Sequence, residues 1–270
     1  MNSIQKLRKQ PHLSSSGIGD YTECSLSYMF GRIDCLKSEF TSDAMLFGTA
    51  IHSVLESFYS SLEAGMTMTL KELQVLFEEI WQSITEIRDD IQYSKGKDYN
   101  ILLLEGKELL SVYCNNLPEY DYTILGIEKS FIFQIEGVPI NIIGVMDLVI
   151  EDDEKVITII DHKTSSRAFS IEEVNKNFQM SLYNLAAQQT EYTGSEILLR
   201  FDTLIKTRKP KFESYYTSRS EEDDRRTIKQ VQAVWEGISK EVFIPNPNSW
   251  KCNYCQFANA CNDWFLSEAA

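Results

Sequence analysis

Gly144-Val145-Met146-Asp147-Leu148-Val149-Ile150, the acidic turn Glu151-Asp152-Asp153-Glu154, and Val156-Ile157-Thr158-Ile159-Ile160-Asp161-His162-Lys163-Thr164 form the stretch that decides the fold. Two Ile- and Val-rich runs either side of a turn predict a β-hairpin. With the turn centred near residues 153–154, Asp147 lies almost opposite Asp161 across the two strands. Lys163, two residues beyond Asp161, falls on the same face of the sheet. Apolar residues flank both acids, as in a buried strand where an unpaired charge costs roughly several kcal/mol. A cation between the oxygens removes that cost, and oxygen ligands of this kind suit Mg or Mn. The competing reading is a surface hairpin whose acids are merely solvated, and the apolar flanks weigh against it.

A cation held there would bind a phosphate oxygen, lower the pKa of a bound water and stabilise the charge developing in phosphodiester cleavage. Lys163 would orient that water or neutralise that charge. Upstream, Phe47-Gly48-Thr49-Ala50-Ile51-His52-Ser53-Val54-Leu55-Glu56 puts His52 and Glu56 one helical turn apart, on the face shared with Gly48. His52 is either a hydrogen-bonded core residue or an imidazole ligand to the same metal, which would favour Mn as well as Mg. Downstream, Gln179 and Tyr183 form an i,i+4 pair on a helix that a short loop separates from Lys163. They would hold a DNA phosphate or base; an ordinary polar helix face is the alternative.

The 270 residues are 43% hydrophobic and 24% charged, and 26 Lys+Arg against 40 Asp+Glu leave a net charge of -14. A surface of that sign repels nucleic acid overall, so any contact with a polyanion must be local or metal-bridged. No apolar run has the length of a membrane span, and the N-terminal residues lack a signal core. A soluble, cytoplasmic protein without membrane association is expected. Helices are expected from Leu13 to Phe30, Ser42 to Leu62, Leu70 to Ile87 and Ile101 to Asn115, after a polar arm over 1–12. Strands should follow over 122–128, 130–135, 140–150 and 155–161. A helix over 171–190, strands over 196–205 and 211–217, and a charged helix over 220–241 complete the pattern. This predicts one α/β domain over 1–270, with a helical insertion at about 60–116 and a Cys-bearing tail over 245–265. Lys206, Arg208, Lys209 and Lys211, beside Tyr215 and Tyr216, have the composition of a phosphate-tracking rim or of a solvated turn.

Six cysteines occupy positions 24, 35, 114, 252, 255 and 261. A disulfide framework is not expected in a reducing compartment. Cys252, Cys255 and Cys261 form C-x2-C-x5-C, and Cys24 can supply a fourth ligand if the early helix meets the tail. Zinc is the rival occupant, although such sites more often pair two C-x2-C units. Cys35 and Cys114 are expected to be small buried apolar residues.

Taken in order, these stretches resemble the RecB-like exonuclease branch of the PD-(D/E)XK nuclease superfamily, which includes the AddB nuclease domain and CRISPR-associated RecB-like exonucleases. Leu13-Ser14-Ser15-Ser16 with Cys24 and Tyr28 resembles the family's opening helix, and Gly48 to Glu56 its G-x-x-x-H-x-x-L-E helix. Gly144 to Asp147 resembles the strand with the first acid, Asp161-His162-Lys163-Thr164 the D-x-K-T signature, and Gln179 with Tyr183 the Q-x-x-x-Y helix. Ser25 stands where a Pro is usual after the first cysteine.

The resemblance implies a restriction-endonuclease-like mixed central sheet flanked by helices, with an iron-sulfur clamp joining the termini. It implies Asp147, Asp161 and Lys163 as catalytic residues. His52, Asp147 and Asp161 would be ligands to Mg2+ or Mn2+, together with the backbone carbonyl of His162. Glu128 would be an additional acid of some members. Cys24, Cys252, Cys255 and Cys261 would hold a 4Fe-4S cluster, and Gln179 and Tyr183 would bind DNA. The expected activity is metal-dependent exonucleolytic hydrolysis of single-stranded or frayed DNA ends in recombination, repair or phage replication, with a helicase or recombination protein as partner. The alternatives are a non-catalytic end-binding subunit of a larger complex and a CRISPR spacer-processing endonuclease. The chain contains no G-x-x-x-x-G-K-[ST] motif, so ATP-driven movement along DNA is not expected of it.

Overall fold

The protein is described as a computed structural model covering residues 6–117 and 121–267; the first five residues of the expected polar arm lie outside it. In chain order the main elements are β1 (His12–Leu13), α1 (Ser15–Glu23), α2 (Ser25–Tyr28), α3 (Asp43–Glu63), α4 (Leu70–Glu86), α5 (Tyr99–Cys114), β2 (Tyr122–Phe133), β3 (Asn141–Asp152), β4 (Ile157–Ser165), α6 (Ile171–Asn175), α7 (Phe178–Gln189), β5 (Ile197–Ile205), β6 (Lys211–Thr217), α8 (Glu221–Ser239) and α9 (Ala258–Leu266). The strands join in a mixed sheet of order β1-β3-β4-β5-β6, with β2 also paired to β3. The β1/β3 and β4/β5 pairs are parallel, and the β3/β4 and β5/β6 pairs antiparallel. The chain divides into two compact units, one of Met1–Thr41, Ile132–Gly144 and Ser220–Ala270, the other of Ser42–Phe131 and Val145–Arg219.

In the first unit the expected helix from Leu13 to Phe30 is broken. Ser14 caps α1 by accepting the Gly17 N–H, but Cys24 adopts extended backbone (φ -157, ψ 99) and becomes the N-cap of α2. The cause is tertiary. The Ile244 N–H donates to Ser25 Oγ at 2.6 Å, while the Leu26 N–H donates to the Ile244 carbonyl. A tail segment thus takes up polar groups at the helix break. Tyr21 adds a hydrogen bond from its hydroxyl to the Val242 carbonyl at 2.7 Å.

The second unit is built on the amphipathic stripe of α3. Phe47, Ala50, Ile51, Val54, Leu55 and Phe58 recur at helical spacing and pack with Leu73, Phe77 and Trp81 of α4 and Leu109, Leu110 and Tyr113 of α5. Leu148, Ile150, Ile160 and Leu204 bring the sheet into the same core. Each such buried side chain stabilises the fold by about 1.5–3 kcal/mol. The helix starts are encoded locally: Thr69 and Glu72 make a reciprocal capping box for α4, and Asp98 accepts the Ile101 N–H to start α5. Since successive strand residues face opposite sides, Ile160 packs toward α3, α4 and α5 while Asp161 faces α7. The sheet therefore carries helices on both faces.

The expected helix over 171–190 is two. Lys176 ends α6, and Asn177, extended at φ -65 and ψ 121, caps α7 through its side chain. The strands expected separately over 122–128 and 130–135 are one, kinked at Glu128, whose φ is +45.

Gly106 of α5 lies against Phe77, where an added Cβ would sit 2.1 Å from the ring. Gly106→Ala should therefore destabilise the protein by about 1–3 kcal/mol through overpacking, read as a lower thermal midpoint with the far-ultraviolet spectrum of the folded state unchanged.

Candidate active site

The second unit holds the hairpin residues in a geometry that starts with register. The β3/β4 ladder runs from Glu151 opposite Ile157 to Leu148 opposite Ile160, the register of a turn centred on residue 154. At the next position the backbone ladder gives way to a side chain. The His162 N–H donates to Asp147 Oδ2 at 2.8 Å, so the carboxylate takes the place of a strand carbonyl. His52, carried on the buried stripe of α3, brings Nδ1 to 3.4 Å from the same oxygen.

Asp161 is 1% exposed. Its Oδ2 lies 2.7 Å from the Lys163 ammonium, yet makes no hydrogen bond of good geometry. Lys163 donates to Gln179 Oε1 at 2.8 Å, and Gln179 Nε2 donates to the Tyr183 hydroxyl at 2.7 Å. That hydroxyl lies 2.6 Å from the Val145 carbonyl and 3.1 Å from Asp161 Oδ1, and shares its proton between them. Asp161, Lys163, Gln179 and Tyr183 thus close a ring of polar contacts. The i,i+4 spacing on α7 makes this closure possible, because both side chains leave the helix on one face. Tyr183 is 2% exposed, and its hydroxyl is directed at the acid and the strand. Its observed partners are the Val145 carbonyl, Asp161 Oδ1 and Gln179.

Burial, and then the nearby Asp161 carboxylate, pushes Asp147 up to about 8. Burial likewise holds His52 below the ordinary imidazole range, against the opposing pull of Asp161. A neutral imidazole and two crowded acids lacking enough positive charge are what a cation would complete. Among the described residues, His52, Glu128 and Asp147 bring ligand atoms within 4.8 Å of one another. Asp161, expected as a ligand, stands outside that set, with one oxygen on Lys163. Glu128 joins it instead through its left-handed backbone, a conformation that costs a non-glycine residue about 1–3 kcal/mol. Glu56, one turn from His52, is exposed and takes no part.

The sequence reading did not single out Tyr59 and Tyr113. The buried His162 ring stacks on Tyr59 at 5.8 Å, and its Nε2 lies 3.3 Å from the Tyr113 hydroxyl, which is 2.5 Å from that of Tyr59. Burial keeps His162 well below its usual pKa. The seven-residue step from His52 to Tyr59, two helical turns, was the available signal.

The basic cluster is only partly a rim. Arg208, Lys209 and Lys211 are exposed, but Lys206 lies over the Phe47 ring at 4.7 Å and is shifted down by burial. The Tyr215 hydroxyl is engaged by Glu213 and by the Phe169 N–H.

In the first unit Cys24, Cys252, Cys255 and Cys261 line one cavity of about 230 Å³, with Phe30, Phe257 and Phe265 among its walls. Burial, then the neighbouring Cys255, Cys24 and Cys252, raises the pKa of Cys261. The four sulfurs share a cavity without being drawn into a compact ligand set, since His52, Glu128 and Asp147 are the group that meets that spacing among the described residues. Cys35 is exposed, contrary to expectation, on a backbone with φ +52, and Cys114 is half-buried. No described helix is long and apolar enough to cross a membrane.

The Gene 69 protein of Mycobacterium phage D29 is 25% identical over 279 residues, covering 94% of this chain and 97% of that protein. A candidate exonuclease from Eubacterium rectale superposes with a TM-score of 0.54 at 12% identity, over 93% of this chain and 89% of its own, which shows a shared fold. The family profile of the PD-(D/E)XK nuclease superfamily matches residues 12–262. Nearly the whole chain is covered by that match, and the protein belongs to the PD-(D/E)XK nuclease superfamily.

Proposed function

We propose that the protein is a metal-dependent DNA exonuclease that hydrolyses single strands or frayed ends, in recombination, repair or phage replication. The observation that carries this is the closed contact ring of Asp161, Lys163, Gln179 and Tyr183 beside the His52, Glu128 and Asp147 set. The donor set fits a hard divalent cation with one imidazole ligand, Mg2+ or Mn2+, held by His52, Asp147, Asp161 and Glu128. When bound, that cation supplies Lewis-acid polarisation of the phosphate and a water of lowered pKa. Lys163 places its ammonium at the edge of the site, where it orients the attacking water and neutralises charge that develops on the phosphate. Gln179 and Tyr183 hold Lys163 and Asp161 in place, and the half-buried amide of Gln179 remains the one of the two within reach of a strand. The whole-length match to a phage-encoded protein supports a role in phage replication or recombination.

We read α4 and α5 as the helical insertion and the cysteine cavity as a 4Fe-4S site. A tetrahedral zinc with Zn–S near 2.3 Å needs sulfurs about 3.8 Å apart. The cavity of about 230 Å³ that the four cysteines line has room for an inorganic core larger than a single ion, and such a centre would clamp residue 24 to the tail.

Asp161→Ala and Lys163→Ala should each lower Mg- or Mn-dependent cleavage of an end-labelled single strand by about 10²-fold or more; unchanged rates would remove the site assignment. Anaerobically purified protein should be brown, with about four irons per chain, and Cys255→Ser should lose the iron. A colourless, zinc-containing preparation would replace the cluster.

A thermal-stability test reads the acid pair directly. Asp147 is held near 8 in the folded chain against an ordinary 3.8, so the folded state binds its proton more tightly. The associated stability is full below the unfolded value and is lost as pH rises through about 8. In metal-free protein Asp147→Asn should therefore gain over wild type between about pH 5 and about pH 8.5, by roughly 3 °C or more. Magnesium at the upper pH should close the gap by stabilising the wild type alone.

A further inference from the structure

We infer that the cavity beside Lys163, of about 550 Å³, is a subsite for one unstacked nucleobase next to the scissile phosphate. The inference rests on the nuclease reading and extends it to the strand itself. Phe169, Phe178 and Phe201 line the cavity with three rings. Phe201 pairs in register with Asp161 across the parallel β4/β5 ladder, and its ring lies 5.9 Å from Lys163 Nζ. Phe178 directly precedes Gln179, the acceptor for Lys163. Two lining residues, Phe201 on a strand and Phe178 on a helix, are thus immediate neighbours of the polar ring.

Charge on the cavity rim selects the occupant. Glu172 is paired with Lys176 at 2.7 Å, and Glu173 with Arg167. Acids and bases cancel, so the rim offers a phosphate no net attraction, whereas a neutral planar ring gains stacking on phenylalanine. Asn177 Oδ1 accepts the Met180 N–H, which leaves its amide N–H groups for the edge of a base. A base seated here has left both its stack and its complement, which costs least in a single strand or frayed end. Stacking on phenylalanine tolerates any base, so little sequence preference follows.

The test is an abasic scan. Single-stranded oligodeoxynucleotides, each with one abasic residue moved a position at a time, are measured for Kd and for kcat/KM with Mg. In the wild type one position should weaken binding and cleavage by roughly five- to hundredfold, and the others little. Phe178→Ala should bind all members alike at the weaker level, while Phe178→Trp restores the discrimination. Phe178→Ala should still cleave the strand that is abasic at the sensitive position at the wild-type rate, which a misfolded variant would not do; Phe169→Ala provides a second truncation. Equal values at every position in the wild type, or discrimination retained by both alanine variants, would overturn the subsite. A strand that is bound but never cut would overturn the nuclease reading and leave the subsite to be judged on Kd.

Discussion

The second unit turns on one hydrogen bond, from the His162 N–H to Asp147 Oδ2 at 2.8 Å. A strand N–H normally meets a carbonyl of its neighbour. Here a side-chain carboxylate substitutes, and the β3/β4 ladder stops at Leu148 and Ile160. The consequence is electrostatic. Two acids are left beside the buried runs Leu148–Ile150 and Ile157–Ile160, where water screens them little. Lys163 meets Asp161, and His52 meets Asp147, but the imidazole is held neutral by burial. Positive charge is therefore short around the two acids, and the donor set is one that a divalent cation would complete.

Much of this was legible before any coordinates because strand geometry has a fixed period. The apolar runs either side of the acidic turn set the register, and register alone brought Asp147 near Asp161 with Lys163 alongside. What escaped was set by long-range contacts. The helix break at Cys24 is decided by Ile244, more than two hundred residues away, and nothing in Thr22-Glu23-Cys24-Ser25 announces it. The kink at Glu128 is likewise invisible to periodicity, because a glutamate is an unfavourable residue for positive φ. Asn177 could have been read as a cap, but the apolar pattern of residues 171–190 ran across it. Gln179 and Tyr183 were rightly paired by spacing, while their partners depended on how α7 lies over β4, which spacing does not encode.

The cysteine cavity follows a different physical logic. Cys24 and the tail cysteines are brought together by ordinary protein contacts: Tyr21 to Val242, Ser25 to Ile244, and Asn246 to the Glu23 carbonyl. The loop-closure cost of joining distant chain segments is borne by folding of the unit itself.

Behind the acids, His162 carries a second consequence of the same strand. Its N–H donates to Asp147, its ring packs against Tyr59 and Tyr113, and its Nδ1 lies 3.9 Å from Asp147 Oδ2. Tyr59 belongs to α3, two turns beyond His52. The backbone of residue 162 thus holds Asp147, and its side chain packs on the helix that carries His52. In a densely packed interior a shift of either element moves both. The spacing of Asp147 and His52 is thereby coupled to the core through His162.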